Sequence, residues 1–280
     1  MPKGSISYRA LRRLLGTIGL SKAWRYLSSY YLWNAFPLSG KSQRLFQVVG
    51  VPRSGTTLLS SLLDAHSEII CLSEPFHQWK YDGFVYTEEI YDITGYTVWK
   101  KHPALLLRNL VQKSEKRWVG FKEIYYSKSH GHWSNHHFFK RNHLQGVLTI
   151  AIIRDPREVW KSLILRHPEK QGKVTARFIE SWNDLVQWIF QSNVFYVKYE
   201  DLIDDPANTL TKICNYLDLK FEDTMLCAKS RKGRGDLNAL KGGGIHTNKS
   251  KTEYQNFLSK NEILSIESGC GHFMQFLSYV

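Results

Sequence analysis

The chain has 280 residues, 42% of them hydrophobic, and a formal charge of +13 from 38 basic and 25 acidic side chains. That length and apolar content suffice to bury a full core without disulfide staples, and the charge implies an anionic partner: nucleic acid, a membrane surface or a polyanionic small molecule. No run of 18 apolar residues occurs, which excludes a transmembrane helix, and Cys71, Cys214, Cys227 and Cys270 form no C-x-x-C pair and read as free thiols.

Residues 8–33 have helical spacing, with Arg9, Arg12, Arg13, Lys22 and Arg25 among Leu, Ile, Trp and Tyr, and Gly16 and Gly19 divide them into two pieces. Such a segment packs on its own domain or makes peripheral contact with an anionic membrane, and packing is the expectation. Pro37 to Gly40 then turns the chain into its first strand. Leu45 to Val51 is an apolar, Val-rich run suited to a strand buried on both faces of a parallel sheet. The small polar stretch Pro52-Arg53-Ser54-Gly55-Thr56-Thr57 follows, and Leu58, Leu59, Leu62 and Leu63 then mark one stripe of a helix. A tight turn from buried strand to helix gathers unpaired N–H groups at the positive end of a helix dipole, a hollow for phosphate or sulfate. Gly50, Gly55 and Thr57 sit at the Walker A spacing, but the lysine position is Thr56 and the cation is Arg53, inside the loop. A small-molecule kinase is therefore the weaker reading.

Ile69 to Leu72 reads as a second strand, whose end places Glu74 beside the first loop, where open α/β sheets bind ligands. A helix is expected over Ala104 to Val111, and a strand over Trp118 to Ile124 with Lys122 at its end. His130, His132, His136, His137 and His143 form a cluster without an H-E-x-x-H glutamate, and they are read as a loop entering a helix, with no metal site. Val147 to Ile153 is the most strand-like run, and Asp155 and Pro156 are the N-cap and first residue of a helix after it. Ser162 and Arg166, at +8 and +12 from Arg154, can share its face and bind one phosphate. A helix over 174–190 with Phe178, Trp182, Leu185 and Ile189 as its stripe, a last parallel strand over Val194 to Leu202, and helices over 207–219 and 260–278 complete the pattern. The tail from 229 is basic and glycine-rich, too poor in apolar residues to pack a core. No linker separates two halves, so the expected organisation is an N-terminal basic helical segment, 1–44, packed on a single domain, 45–280.

The segment VPRSGTTLLSSLLDAHSEI strongly resembles the 5′-phosphosulfate loop of sulfotransferases that use 3′-phosphoadenosine 5′-phosphosulfate (PAPS), especially the tyrosylprotein and carbohydrate branches. The strand, R-D-P-R and distal serine at 147–162 resemble the family's 3′-phosphate motif, and K-Y-E-D-L at 198–202 resembles another of its hallmarks. The resemblance covers about positions 45 to 279, with gaps around 77–117 and 220–245. It implies an α/β P-loop fold, a central parallel sheet flanked by helices, and transfer of a sulfuryl group from PAPS, leaving PAP, without a metal. Arg53, Ser54, Gly55, Thr56 and Thr57 would hold the phosphosulfate, Arg154, Ser162 and Arg166 the 3′-phosphate, and Tyr199 would lie near the adenosine. Glu74 would be the general base, as is a glutamate at about this distance from the loop in tyrosylprotein sulfotransferases, with carbohydrate sulfotransferases carrying a similar E-P-x-x-x-W segment, and Lys122 would assist on the sulfuryl oxygens. Either 231–236, similar to the R-K-G-x-x-G-D segment of cytosolic members, or 246–251, with Ser250 and Lys251, would close over the cofactor.

The acceptor is expected to be a small molecule, such as a natural product or metabolite, or a glycan, met through its hydroxyl or amine against the aromatics of 76–99, with acceptor-site walls over 81–116. Absence of the membrane anchor of Golgi members points to a cytoplasmic enzyme. A basic nucleic-acid-binding protein is the rival from another class, but it calls for basic residues interleaved with exposed aromatics on one face, whereas the sharpest basic residues here sit at strand ends, and no nucleic-acid partner is expected.

Overall fold

The computed structural model describes residues 21–36, 38, 44–86, 97–227 and 254–280. The first part of the 8–33 segment, most of the turn from Pro37 and the tail with 231–236, Ser250 and Lys251 lie outside the described residues.

Helix α1 (Ser21–Asn34) leads to β1 (Leu45–Gly50), the phosphate-type loop, α2 (Thr56–Asp64) and β2 (Ile69–Ser73). Next come α3 (Pro75–Asp82), the short pair β3 (Val85–Tyr86) and β4 (Val98–Trp99), α4 (Pro103–Lys113) and β5 (Trp118–Ile124). A 3₁₀ turn at Lys128–Trp133 enters α5 (His136–Leu144), followed by β6 (Leu148–Ile153), α6 (Pro156–Arg166), α7 (Ala176–Gln191) and β7 (Phe195–Lys198). Helices α8 (Tyr199–Asp204), α9 (Pro206–Tyr216) and α10 (Lys260–Phe276) close the described chain.

The main sheet has the order β2-β5-β1-β6-β7, with every pairing parallel. Side chains alternate across it, so each buried strand feeds two cores. Val48, Ile150 and Ile152 pack with Leu59, Leu62 and Leu63 of α2 and Ile213 of α9. Val49, Ala151 and Ile153 face the other side, with Leu107 of α4, Phe138 of α5, Trp182 of α7 and Met274 of α10. The stripe expected on the 174–190 helix is the buried one: Phe178, Trp182, Leu185 and Ile189 all lie in that second core. Leu32 and Trp33 of α1 join it, while Leu27, Tyr30 and Tyr31 are exposed.

β1 is central, and the chain leaves it towards β2 on one side and reaches β6 and β7 on the other. A crevice therefore opens above its carboxyl end, where such sheets take their ligands.

One element differs in kind from expectation. The last strand stops at Lys198, and Tyr199–Asp204, whose first four residues read from sequence as its continuation, is a helix with Glu200 and Asp201 in its first turn. Two acidic side chains there complement the positive end of the helix dipole, which outweighs the strand propensity of Tyr199. Helix α3 was not expected, although Pro75 occupies its first turn, the position proline favours.

Candidate active site

The phosphate-type loop closes on itself through Ser54, whose N–H donates to the Val51 carbonyl at 3.2 Å and whose buried hydroxyl donates to the same carbonyl at 2.6 Å. Both Ser54 donors are therefore committed to shaping the loop. Gly55, the N-cap of α2, has φ 93°, and a β-carbon there would meet the Tyr199 ring at 2.3 Å. Only glycine meets both conditions, the left-handed backbone and the close approach of the ring. Thr56 and Thr57 open the first turn of α2, where backbone N–H groups have no carbonyl four residues back. Thr56 is buried and Thr57 half-buried.

Arg53, also left-handed at φ 73°, extends across the crevice and donates through Nε to Ser162 Oγ at 3.1 Å. Arg154 follows β6 directly, and its Nη1 donates to the Arg53 carbonyl at 3.3 Å while its guanidinium lies 4.2 Å above the Tyr199 ring. Its other nitrogen pairs with Glu158 at 3.3 Å, a carboxylate shared with Lys161 at 2.9 Å. The fold thus gathers Arg53, Gly55, Arg154, Ser162 and Tyr199, drawn from the segments that follow β1, β6 and β7, around one hollow. Arg166, in the last turn of α6, is exposed, and no recorded hydrogen bond joins it to Arg154 or Ser162.

The neighbouring Arg157 has a different task. Asp155, the α6 N-cap, accepts from its Nε and Nη2, Glu267 from its Nη1 at 2.6 Å, and the ring of Tyr254 lies against it at 4.4 Å. Burial works against its charge, yet the bonds and charges of Asp155 and Glu267 outweigh it and hold the guanidinium above its ordinary value. Glu200 accepts from the Asp155 N–H at 3.0 Å and from the Tyr279 hydroxyl at 2.9 Å, and burial raises its carboxyl. These contacts tie the start of α6 to the C-terminal helix and the residues after it.

Across the sheet, Lys122 lies within β5, two residues before its end rather than at it, and its side chain is fully buried. Its Nζ donates to Glu74 Oε1 at 2.6 Å, and its carbonyl accepts the Glu74 N–H at 2.7 Å. Glu123, equally buried, accepts the N–H groups of Phe76 and His77 at 2.7 and 3.3 Å and the Nδ1–H of His77. His77 stacks with Tyr81 and Trp133 and meets Tyr126 edge-on. Burial, then the charges of Glu74, Tyr81 and Glu123, raise the Tyr126 phenol. The pairing of His77 with Glu123 has no local sequence signal, because 46 residues separate the two. His102 is a structural residue: it caps α4 by accepting from the Ala104 N–H at 3.2 Å, and its other nitrogen donates to the Leu32 carbonyl at 3.0 Å. Burial lowers its pKa to about 4.

The other histidines take separate partners, His130 with Ser181, His136 with Ser134 and His143 with Thr149. Among the described residues no group of three or more His, Cys, Asp or Glu side chains is placed to hold a metal ion. Among them, too, no helix is long and apolar enough to cross a membrane, and all four cysteines are free.

A parallel α/β sheet with a phosphate-type loop after its central strand, and a second arginine-serine motif after the adjacent one, is a P-loop-type fold. Residues 46–223 match the sequence model of the sulfotransferase family. The chain belongs to the sulfotransferase family. It is 29% identical over 214 residues to a Caenorhabditis briggsae protein provisionally named a protein-tyrosine sulfotransferase, covering 68% of this chain and 70% of that one. In structure it is similar to the sulfotransferase domain of the Synechococcus PCC 7002 olefin synthase, with a TM-score of 0.53 at 21% identity over 73% of this chain and 85% of that one. It is also similar to a mouse sulfotransferase complexed with PAP, with a TM-score of 0.51 at 14% identity over 86% and 88% of the two chains. At these identities the two structural likenesses concern the fold.

Proposed function

We propose that the protein transfers a sulfuryl group from PAPS to a hydroxyl or amine of an acceptor. The observation that carries this is the meeting of two anion-binding motifs at adjacent strand ends, where Arg53 donates to Ser162 and Arg154 approaches both the Arg53 carbonyl and Tyr199. The loop N–H groups and Arg53 would take the 5′-phosphosulfate, Arg154 and Ser162 the 3′-phosphate with Arg166 reaching in from solvent, and Tyr199 the adenosine side. Ser250 and Lys251 would complete the grip from the tail. What the donor supplies is the sulfuryl group; the protein orients it and offsets the charge growing on the leaving oxygen through Arg53 and on the sulfuryl oxygens through Lys122. Glu74 takes the acceptor proton.

The acceptor we propose is a small molecule or a glycan, held against the rings around Tyr81 and Trp133. Similarity to a protein named as a tyrosine sulfotransferase adds a protein tyrosine as a second candidate. The chain is taken as one domain of residues 45–280 preceded by an N-terminal segment, 1–44, whose described helix, Ser21–Asn34, buries Leu32 and Trp33 in the core shared with Met274. The free thiols of Cys71, Cys214 and Cys270, all buried, suit a cytoplasmic location. Calorimetric titration with PAP, ATP and single-stranded DNA is the test: tight binding of PAP alone is expected, and preference for either other ligand would overturn the assignment.

A further inference from the structure

The residue at the start of α3 is in an unusual state. Glu74 holds the N-cap position, where a side chain ordinarily sits on extended backbone and accepts an N–H from the second or third helical residue. Instead its backbone is left-handed, with φ 52° and ψ 46°, and its carboxylate makes no capping bond. The N–H groups it would have accepted belong to Phe76 and His77, and both go to Glu123, which reaches them from β5. The second oxygen of Glu123 is held by the Nδ1–H of His77. Successive residues of one strand thus divide the two tasks: Lys122 takes the Glu74 carboxylate at 2.6 Å, and Glu123 takes the helix end.

We propose that Glu123 is a positioning residue for Glu74, capping α3 from the sheet so that the Glu74 carboxylate stays on Lys122 and off its own helix. The proposal rests on Glu74 as the base in the activity proposed above. Remove Glu123, and two buried N–H groups are left beside a carboxylate whose left-handed backbone is strained. Glu74 then relaxes to the extended N-cap conformation and turns its carboxylate onto Phe76 and His77, away from Lys122 and from the acceptor. His77 supports the clamp through Nδ1, which fixes the rotation of the Glu123 carboxylate.

Amide hydrogen exchange at Phe76 and His77, read by NMR, tests this without any acceptor. In Glu123→Ala the two amides are expected to stay protected because Glu74 replaces the lost cap, and in Glu123→Ala/Glu74→Ala they should exchange at least about tenfold faster. Free exchange in the single variant overturns the proposal. Single-turnover transfer from labelled PAPS to a tyrosine-containing peptide gives the second readout. Glu123→Ala is expected to fall about 10²-fold with PAP affinity unchanged, and Glu123→Ala/Glu74→Gln no further than Glu74→Gln alone. Losses that multiply in the double variant mean that Glu123 acts independently of Glu74. In Glu123→Gln the amide oxygen can still accept both N–H groups, so transfer should stay within about tenfold of the parent. That variant carries the test if Glu123→Ala does not fold, and a loss equal to that of Glu74→Gln would then sink the idea. A protein that binds no PAP and moves no sulfuryl group would refute the proposed activity while leaving the exchange result standing.

Discussion

The two ends of the crevice hold charge in opposite ways. At the β1 and β6 end, Arg53 donates to a neutral hydroxyl and two cations, Arg154 and Lys161, share the single carboxylate of Glu158. At the β2 and β5 end Lys122 pairs with Glu74, and Glu123 is held by the Nδ1–H of His77 and by the N–H groups of Phe76 and His77, with Lys122 and Glu123 wholly buried. On the proposed activity, the first arrangement is where the donor would bring its negative charge. The second already satisfies its buried groups within the fold, and removing Glu74 there strands the buried charge of Lys122. Substitutions at the first end should therefore act on binding, and those at the second on the chemical step or on the fold itself.

The largest effect is expected at the second end. Glu74→Gln keeps the shape and the bond from Lys122 but cannot take a proton, so the chemical step should slow roughly 10²-fold or more while PAP affinity is retained. Single-turnover transfer measures this, and a rate near the parent's would make Glu74 structural. The search for a base would then move to His77, since His102 is bonded through both ring nitrogens and the Glu123 carboxylate already accepts three bonds.

The same end should show in the acid stability. His102 has a pKa lowered to about 4 by burial, below its ordinary 6.5. A group depressed on folding binds its proton better in the unfolded chain. Its stabilising contribution is therefore complete above pH 6.5 and is lost as pH falls from there towards 4, by about 3 kcal/mol in all. Thermal melts between pH 7 and pH 4 should show a steeper loss for the parent than for His102→Asn, which can still cap α4 and carries no titrating ring. Parallel curves for the two would mean that His102 charges without cost in the fold.

At the first end the expected change is confined to binding. If Arg154 and Ser162 hold the 3′-phosphate as proposed, Arg154→Ala and Ser162→Ala would each remove a hydrogen bond to a charged group, worth about 1.5–3 kcal/mol, with the arginine at the upper limit and the serine at the lower. Melting temperatures should barely move. Equal PAP affinity in parent and variants by calorimetry would remove these residues from the 3′-phosphate site.

The contrast also explains what was legible in the sequence. At the first end Arg53, Gly55 and Arg154 sit within a few residues of a strand end and Ser162 lies two helical turns further along the same segment, so they announce themselves through local spacing, and the strands before them through apolar runs. The strand read through Leu202 failed because an acidic first turn, Glu200 and Asp201, favours a helix that β-propensity at Tyr199 conceals. At the second end the partners lie 46 to 48 residues apart, and only the register of β5 beside β2 brings them together. Glu74 and Lys122 were legible singly, through family resemblance; their ion pair and the clamp of Glu123 on His77 were not, because no periodicity encodes a contact across a sheet edge.

The smallest expected effect is none, and it bears on the second end most directly. A kinase-type loop would carry a lysine where this chain has Thr56, and would need carboxylates free to hold Mg²⁺. Here Glu74 is bonded to Lys122, Glu158 to Arg154 and Lys161, and Glu123 to the end of α3, so each nearby carboxylate already has its cation or its donors. Recruiting a divalent ion would require breaking one of these pairs and leaving its partner unmatched, in the case of Lys122 at full burial. Transfer assayed with EDTA should therefore match the rate without it. A rate that collapses on chelation and returns with Mg²⁺ would show that one of these pairs opens to bind metal, and would restore the phosphoryl-transfer reading of the loop.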